Sequence, residues 1–379
     1  MQLPPLGLYI HLPWCERKCP YCDFNSHEIS VVPEERYVRA LLQDLRHDLP
    51  LLQQRTVDTL FIGGGTPSLF SGSAIQRLLR EIAALVPLSP TLEATMEANP
   101  GSAEADRFCA FKDAGITRLS LGIQSFDDTQ LQALGRIHSS DQAHAAIEFA
   151  RGAGFDSFNL DLMHGLPGQT LRSAETDLLH AIACEPSHLS WYQLTIEPNT
   201  AFHRRPPQLP IENELADIQQ CGEQLLARSG YAQYEVSAYS RSGYNCRHNS
   251  NYWSFGDYLG IGAGAHGKIS FPDGRIARYA KRRQPEQYMS AEPGSFVAST
   301  RSLDHSEIVG EFMLNALRLN DGFTLPQFIS RTGLDCAQLE PQLNSLCQRG
   351  LLLHDGDVVR TTESGRRFLD NVVAEFFPK

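Results

Sequence analysis

Three cysteines, Cys15, Cys19 and Cys22, fall within eight positions near the start of the chain, spaced Cys-x3-Cys-x2-Cys. Thiolates are soft ligands, and three on one short loop suit an iron-sulfur centre. Three ligands for a cluster of four irons leave one iron open to a small chelating molecule, whereas a structural metal site saturates its ion. A zinc ion completed by His11 or His27 is the alternative that the spacing leaves standing. The chain holds nine cysteines, and the other six are scattered. That distribution favours one ligand cluster in a reducing compartment over a disulfide framework.

Three further sets of residues carry chemistry. Gly63-Gly64-Gly65-Thr66-Pro67 lets the backbone approach a ligand closely, because no Cβ intervenes, and it lacks the Gly-Lys-Ser/Thr ending of a phosphate-binding loop. Glu97, Gln124, Arg136 and Asp161 offer acceptors and donors for ribose hydroxyls, an ammonium and a carboxylate. With the cysteines, this set fits an adenosylated amino acid. A second centre is His248-Asn249-Ser250-Asn251-Tyr252-Trp253, where an imidazole could ligate haem iron under aromatic rings that cover the macrocycle. An ordinary packed histidine is the plainer alternative there.

These residues need elements to hold them. Up to about residue 195, β-rich runs at Leu8 to His11, Thr59 to Ile62, Leu92 to Glu97, Arg118 to Gly122, Ser157 to Leu162 and His188 to Thr195 alternate with helical periodicity at Glu34 to Leu49, Ser73 to Val86 and Leu171 to Cys184. The pattern predicts an α/β fold, an open (β/α)6 partial TIM-type barrel. Ligand sites of barrels form where strand ends meet the following loops, and five of these strand ends carry the residues named above. The expected organisation is a barrel core over 1–235, an irregular loop, hairpin and linker over 236–300 with a turn at Pro272-Asp273-Gly274, and a small winged-helix-like α+β domain over 301–379.

Bulk composition narrows the partners. At 379 residues with a net charge of −11, the chain opposes non-specific attraction to nucleic acid or an anionic membrane. Residues 301–379 carry 8 Lys/Arg against 11 Asp/Glu, so a DNA-binding role for the tail is disfavoured and a structural or lid role preferred. No leader-like segment opens the chain and no run is long enough to span a bilayer, so a cytoplasmic protein that is not integral to a membrane is expected.

Tyr9-x5-Cys15-x3-Cys19-x2-Cys22, Gly63 to Pro67, Met96 to Pro100, Gly122-Ile123-Gln124-Ser125-Phe126 and Asn159 to Pro167 resemble the radical S-adenosylmethionine (SAM) family. Within it the chain is most similar to the oxygen-independent coproporphyrinogen oxidases and their HemW-type haem chaperone relatives. The resemblance implies a 4Fe-4S cluster on the three cysteines, with SAM chelating the open iron and an electron donor feeding the cluster. It also implies SAM contacts at Tyr9, Gly64, Gly65, Thr66, Glu97, Gln124, Arg136 and Asp161. Oxidases of this family carry a further cysteine two residues beyond the third ligand, where this chain has Phe24. The chaperone branch has Cys-Asp-Phe and His-Asn-x-x-Tyr-Trp, as in Cys22-Asp23-Phe24 and His248 to Trp253. Those two features imply a haem chaperone, with haem of the b type, a haem contact at His248 and acceptor haemoproteins as partners. The implied alternative is anaerobic coproporphyrinogen oxidation in porphyrin biosynthesis.

Overall fold

The computed structural model describes residues 2–101 and 104–378. Its centre is one mixed sheet. The six expected strands are present as β1 (Leu6–Leu12), β2 (Val57–Gly64), β3 (Leu88–Ala98), β4 (Arg118–Gln124), β5 (Phe158–His164) and β6 (His188–Gln193). They pair in parallel, each beside the next, with helices in the crossovers. Alternate residues of a strand point to opposite faces. Leu8, Ile10, Leu60, Ile62, Met96, Leu119, Leu160 and Leu189 are fully buried in the main apolar core, which also takes in the inner stripes of helices Glu34–Asp48 and Gly72–Leu85. The opposite parity gives Tyr9, Phe61, Glu97, Ser120, Asp161 and Ser190 to the inner face, where hydrogen bonds tie several together. This polar inner face separates the barrel from an ordinary doubly covered sheet.

The stretch 236–300 differs from the irregular segment expected. It contains β8 (Ala238–Ser240), which pairs antiparallel with both β6 and β7 (Ala232–Glu235), and then the helix Arg247–Trp253. Next comes β9 (Asp257–Ile261), which pairs parallel with β1 on its free edge. The sheet continues antiparallel through β10 (His266–Ser270), β11 (Ile276–Lys281) and β12 (Val297–Ser302), and the expected turn at Pro272 to Gly274 joins β10 to β11. The segment expected as a linker holds the helix Pro285–Met289 and most of β12. Glycine, asparagine and tyrosine made this region look like loop. Its strands read poorly because glycines occupy close-contact positions: a Cβ on Gly260 would meet the His266 carbonyl oxygen at 1.9 Å. The strand order runs β12-β11-β10-β9-β1-β2-β3-β4-β5-β6-β8-β7, an open sheet among the described residues.

The last domain has its own core. Helix His305–Ala316, a short strand Phe323–Thr324, helices Leu325–Thr332 and Gln342–Gln348, and the hairpin Leu352–Asp355 with Val358–Thr361 follow in the order of a winged helix. Phe312, Phe323, Phe328, Leu343, Val359 and Val372 pack together, joined by Phe255 and Ile276 from the sheet region. The guanidinium of Arg278 on β11 pairs with Glu311 at 2.5 Å and fixes the junction. No helix among the described residues is long and apolar enough to cross a membrane.

Candidate functional site

The cysteines lie on the loop that leaves β1. Trp14–Cys15 forms a two-residue parallel bridge with His27–Glu28, which folds the loop back on itself. Asn25 then pins it to the far side of the sheet, donating from Nδ2 to the carbonyls of Ala263 at 2.8 Å and Arg283 at 2.9 Å. Lys18 Nζ donates to the carbonyl of Phe24 at 3.0 Å, an exposed brace across the turn. Cys15 is buried, while Cys19 and Cys22 are half-buried.

The glycine run ends β2 against this loop. The amides of Gly65 and Thr66 donate to the carbonyls of Leu12 and Trp14 at 2.8 and 2.7 Å. A Cβ on Gly65 would meet the Trp14 carbonyl oxygen at 2.4 Å, so only glycine lets the backbone pass. Gly64 has φ +122° and presents its amide to Glu97 Oε2 at 3.0 Å.

Four side chains converge from the next strands. Arg136 donates to Gly122 O at 2.7 Å, Asn99 Oδ1 at 2.8 Å and Cys19 Sγ at 3.7 Å, joining the fourth strand's end to the cysteine loop. Asn99 Nδ2 in turn donates to Thr66 Oγ1 at 2.9 Å. Gln124 sits at φ +68°, an uncommon conformation for a side-chain-bearing residue, and accepts from Tyr192 at 2.8 Å. Asp161 accepts from Ser120 at 3.0 Å and Asn159 at 2.8 Å. Beside the cysteines, Thr66, Asn99, Arg107, Arg136 and His138 line a cleft of about 210 Å³.

Electrostatics at the mouth favour bound cations and dipoles. Burial pushes the Glu97 carboxyl up to about 7, and the neighbouring Asp161 carboxylate adds to the shift while the Gly64 amide opposes it. Burial likewise raises Asp161, against hydrogen bonds from Asn159 and Ser120. Tyr9 is raised by burial and by Glu97, and its hydroxyl is hydrogen-bonded to His11 Nδ1 at 2.9 Å. Burial raises the thiols of Cys15 and Cys22, and the other cysteines of the loop raise them further.

That donor set fits an iron-sulfur cluster. Among the described residues no three His, Cys, Asp or Glu side chains gather closely enough for a single ion. A cluster asks less, because each thiolate binds a different iron. His11 has both ring nitrogens engaged, Nε2 with the Asn25 carbonyl at 2.9 Å, which removes it as the fourth ligand of a zinc site. The buried Nε of Arg136 has no partner, leaving a donor for a ligand beside Cys19.

The sequence missed Asn99, Tyr192 and Ser120. Asn99 lay within the Met96 to Pro100 motif and could have been found there; Tyr192 and Ser120 follow from strand alternation once the inner face is known.

His248 lies elsewhere. The helix Arg247–Trp253 closes the floor of the barrel, and Glu93 caps it, accepting from the amides of Arg247 at 3.2 Å and His248 at 3.0 Å. His248 is 1 % exposed, its Nδ1 hydrogen-bonded to Thr59 at 2.9 Å and its Nε2 to Tyr252 at 2.8 Å. Burial pushes its pKa down to about 3, so it is neutral. The expected irregular loop is instead a helix whose buried residue is His248, and neither of its ring nitrogens is free.

A thiolate loop, a glycine cradle and paired carboxylates at the mouth of a parallel barrel define a radical SAM protein. The chain matches the Radical SAM superfamily over residues 9–180 and the HemN C-terminal domain over residues 303–368. It is 51% identical over 377 residues to Heme chaperone HemW of Escherichia coli (strain K12), covering 99% of each chain. With Heme chaperone HemW of Bacillus subtilis (strain 168) it shares 34% identity, over 97% of this chain and 98% of that one. Among solved structures, coproporphyrinogen III oxidase (HemN) from Escherichia coli superposes with a TM-score of 0.82 at 25% identity, covering 99% of this chain and 90% of that chain. The chain belongs to the HemW haem chaperone family of radical SAM proteins.

Proposed function

We propose that this protein is a haem chaperone that holds a 4Fe-4S cluster, SAM and haem and passes haem to acceptor haemoproteins in the cytoplasm. The observation that carries this reading is the 51% identity over 377 residues to a protein named Heme chaperone HemW. Cys15, Cys19 and Cys22 are the proposed cluster ligands. Tyr9, Gly64, Gly65, Thr66, Glu97, Gln124, Arg136 and Asp161 are the proposed SAM contacts, and their convergence on one mouth supports that reading. The bound cluster and SAM would supply one-electron chemistry. This chain's own residues position and charge-match the ligand: Arg136 and Asn99 tie the cysteine loop to the strand ends, and Glu97 and Asp161 offer acceptors.

Haem of the b type is the proposed cargo, with His248 as a proposed contact. For His248 to ligate iron, its hydrogen bond to Thr59 or Tyr252 must break and the floor helix must move. An electron donor is a proposed partner and nucleic acid is not, given the net charge of −11. The second reading, coproporphyrinogen oxidation, draws on the likeness to HemN. Phe24 opposes it, an apolar side chain 62 % exposed where the oxidases carry a cysteine. Anaerobic reconstitution, followed by haem titration and assay of coproporphyrinogen decarboxylation on one sample, decides between them. Stoichiometric haem binding without decarboxylation is expected; decarboxylation without haem binding reverses the order.

A further inference from the structure

A cleft of about 360 Å³ opens to solvent where the starts of β1 and β2 meet the last domain. It is roomier than the cleft beside the cysteines and lies at the opposite end of the strands. One wall is the segment from Gln2 into β1 together with Arg55, Thr56 and Asp58, and the other is the end of helix Leu325–Thr332.

An uncommitted cation sets the chemistry of this cleft. Arg331, in the last turn of that helix, has its Nε buried without a hydrogen-bond partner, and among the described residues it joins no ion pair within 4.0 Å. A guanidinium stays charged at any physiological pH, and buried charges are ordinarily paired. Asp257 is the carboxylate whose charge reaches Arg331, and it is already spent. It accepts from Arg55 at 2.6 Å, from Lys268 at 3.0 Å, and from both the amide and the hydroxyl of Ser270 at 2.8 Å. Burial pulls the Lys268 ammonium down to about 8; Asp257 opposes that fall, and Arg278 and Arg331 add to it. Asp58 lines the cleft but joins no ion pair within 4.0 Å among the described residues. Around this cleft Arg55, Lys268 and Arg331 therefore face only two carboxylates, in a chain whose net charge is −11.

We propose that the cleft is a binding site for a small molecule bearing an oxyanion, a phosphate or a carboxylate, held by the Arg331 guanidinium with the Thr56 hydroxyl beside it. A planar fork of N–H donors matches two oxygens of such a group. Among the described residues no aromatic side chain lines the cleft, so the oxyanion rather than a ring is what it recognises. One wall belongs to the barrel and the other to the last domain, so a bound anion bridges the two, far from the SAM contacts. The site stands whether or not haem is the cargo.

The test titrates inorganic phosphate, glycerol 3-phosphate and succinate by calorimetry into reconstituted protein saturated with SAM, at constant ionic strength made up with chloride. Saturable binding is expected, and the tighter of glycerol 3-phosphate and succinate identifies which oxyanion the cleft takes. Arg331→Gln should weaken it by at least about tenfold, the effect of one lost charge-assisted hydrogen bond, and Arg331→Lys should recover part of the loss. Iron content and SAM affinity should be unchanged in both. Asp58→Asn removes a like charge from the anion's surroundings and should tighten binding about threefold. If Asp58 and Arg331 serve only each other, Asp58→Asn instead lowers thermal stability and leaves anion affinity where it was. Absence of saturable binding, or equal affinity in the wild type and Arg331→Gln, overturns the site and makes Arg331 a structural cation. If Arg331→Gln does not fold, Asp58→Asn decides alone, and unchanged or weaker anion binding overturns the proposal.

Discussion

The mouth and the floor of the barrel are built from the same residue types and end in opposite states. At the mouth, the Arg136 Nε lacks a partner, two cysteines are half open to solvent, and two buried carboxyls share one space. At the floor, His248 has both nitrogens bonded, Glu93 caps the helix, and Tyr252 packs edge-on against Tyr258 at 4.5 Å. Buried polar groups are mostly hydrogen-bonded, so an unpartnered donor beside a cleft is a place where a ligand can supply the missing acceptor. The mouth thus keeps open donors and thiols beside its cleft, while at the floor His248 and Glu93 are committed to protein partners and Trp253 Nε1 is left without one.

The sharpest division between the two should come from the cysteines. Cys15→Ala, Cys19→Ala or Cys22→Ala should take bound iron from about four per chain to none, measured on reconstituted protein by iron analysis and visible absorption. Unfolding by urea should change little, because the loop is pinned through Asn25 rather than through sulfur. Stoichiometric zinc in place of iron would make the cysteine loop an ordinary structural metal site.

At the floor the expectation is inverted. His248→Ala removes a buried ring and strands the Thr59 and Tyr252 hydroxyls, which should cost about 2–4 kcal/mol of stability while iron and SAM binding survive. If instead melting is unchanged and haem affinity alone falls, the floor helix opens to serve as the haem contact.

Returning to the mouth, Asp161→Ala should weaken SAM binding by about 1.5–3 kcal/mol, one charge-assisted hydrogen bond, read by titration. The floor offers no comparable effect on SAM.

The smallest effect is a pH slope. Glu97 has its carboxyl raised to about 7 in the folded chain, above the ordinary carboxylate value it regains on unfolding. Between those two values the folded state holds the extra proton, so stability falls as pH rises toward 7 and levels off beyond it. Glu97→Gln should flatten that slope in urea melts between pH 5 and 8. SAM affinity in the wild type should rise over the same interval as the carboxylate forms.

The same contrast between local and long-range contacts decides what is legible in the sequence. The mouth was readable because its chemistry is local: three thiols in eight positions, a glycine run, and polar residues at strand ends. The core strands were readable for the same reason, since Leu6, Leu8 and Ile10 or Leu119, Leu121 and Ile123 announce themselves by alternation. The floor was not. His248 meets Thr59 across 189 positions and Glu93 across 155, and no periodicity encodes a contact of that span. β9 was hidden likewise, a five-residue strand inside a glycine- and tyrosine-rich stretch whose partner is the first strand of the chain.

That first strand has a consequence for how the protein is made. β1 lies between β2 and β9, and the cysteine loop that follows it is fastened to Ala263 and Arg283. During translation the amino-terminal half leaves the ribosome with one side of β1 bare and the loop untied. At bacterial or eukaryotic elongation rates the missing pieces arrive only about 10 to 50 s later. Closure of the cysteine loop is thereby placed late in synthesis, once residues to 283 have emerged. A stalled nascent chain ending before residue 257 should leave Cys15 open to alkylation, and one extending past residue 283 with room to clear the ribosomal tunnel should protect it.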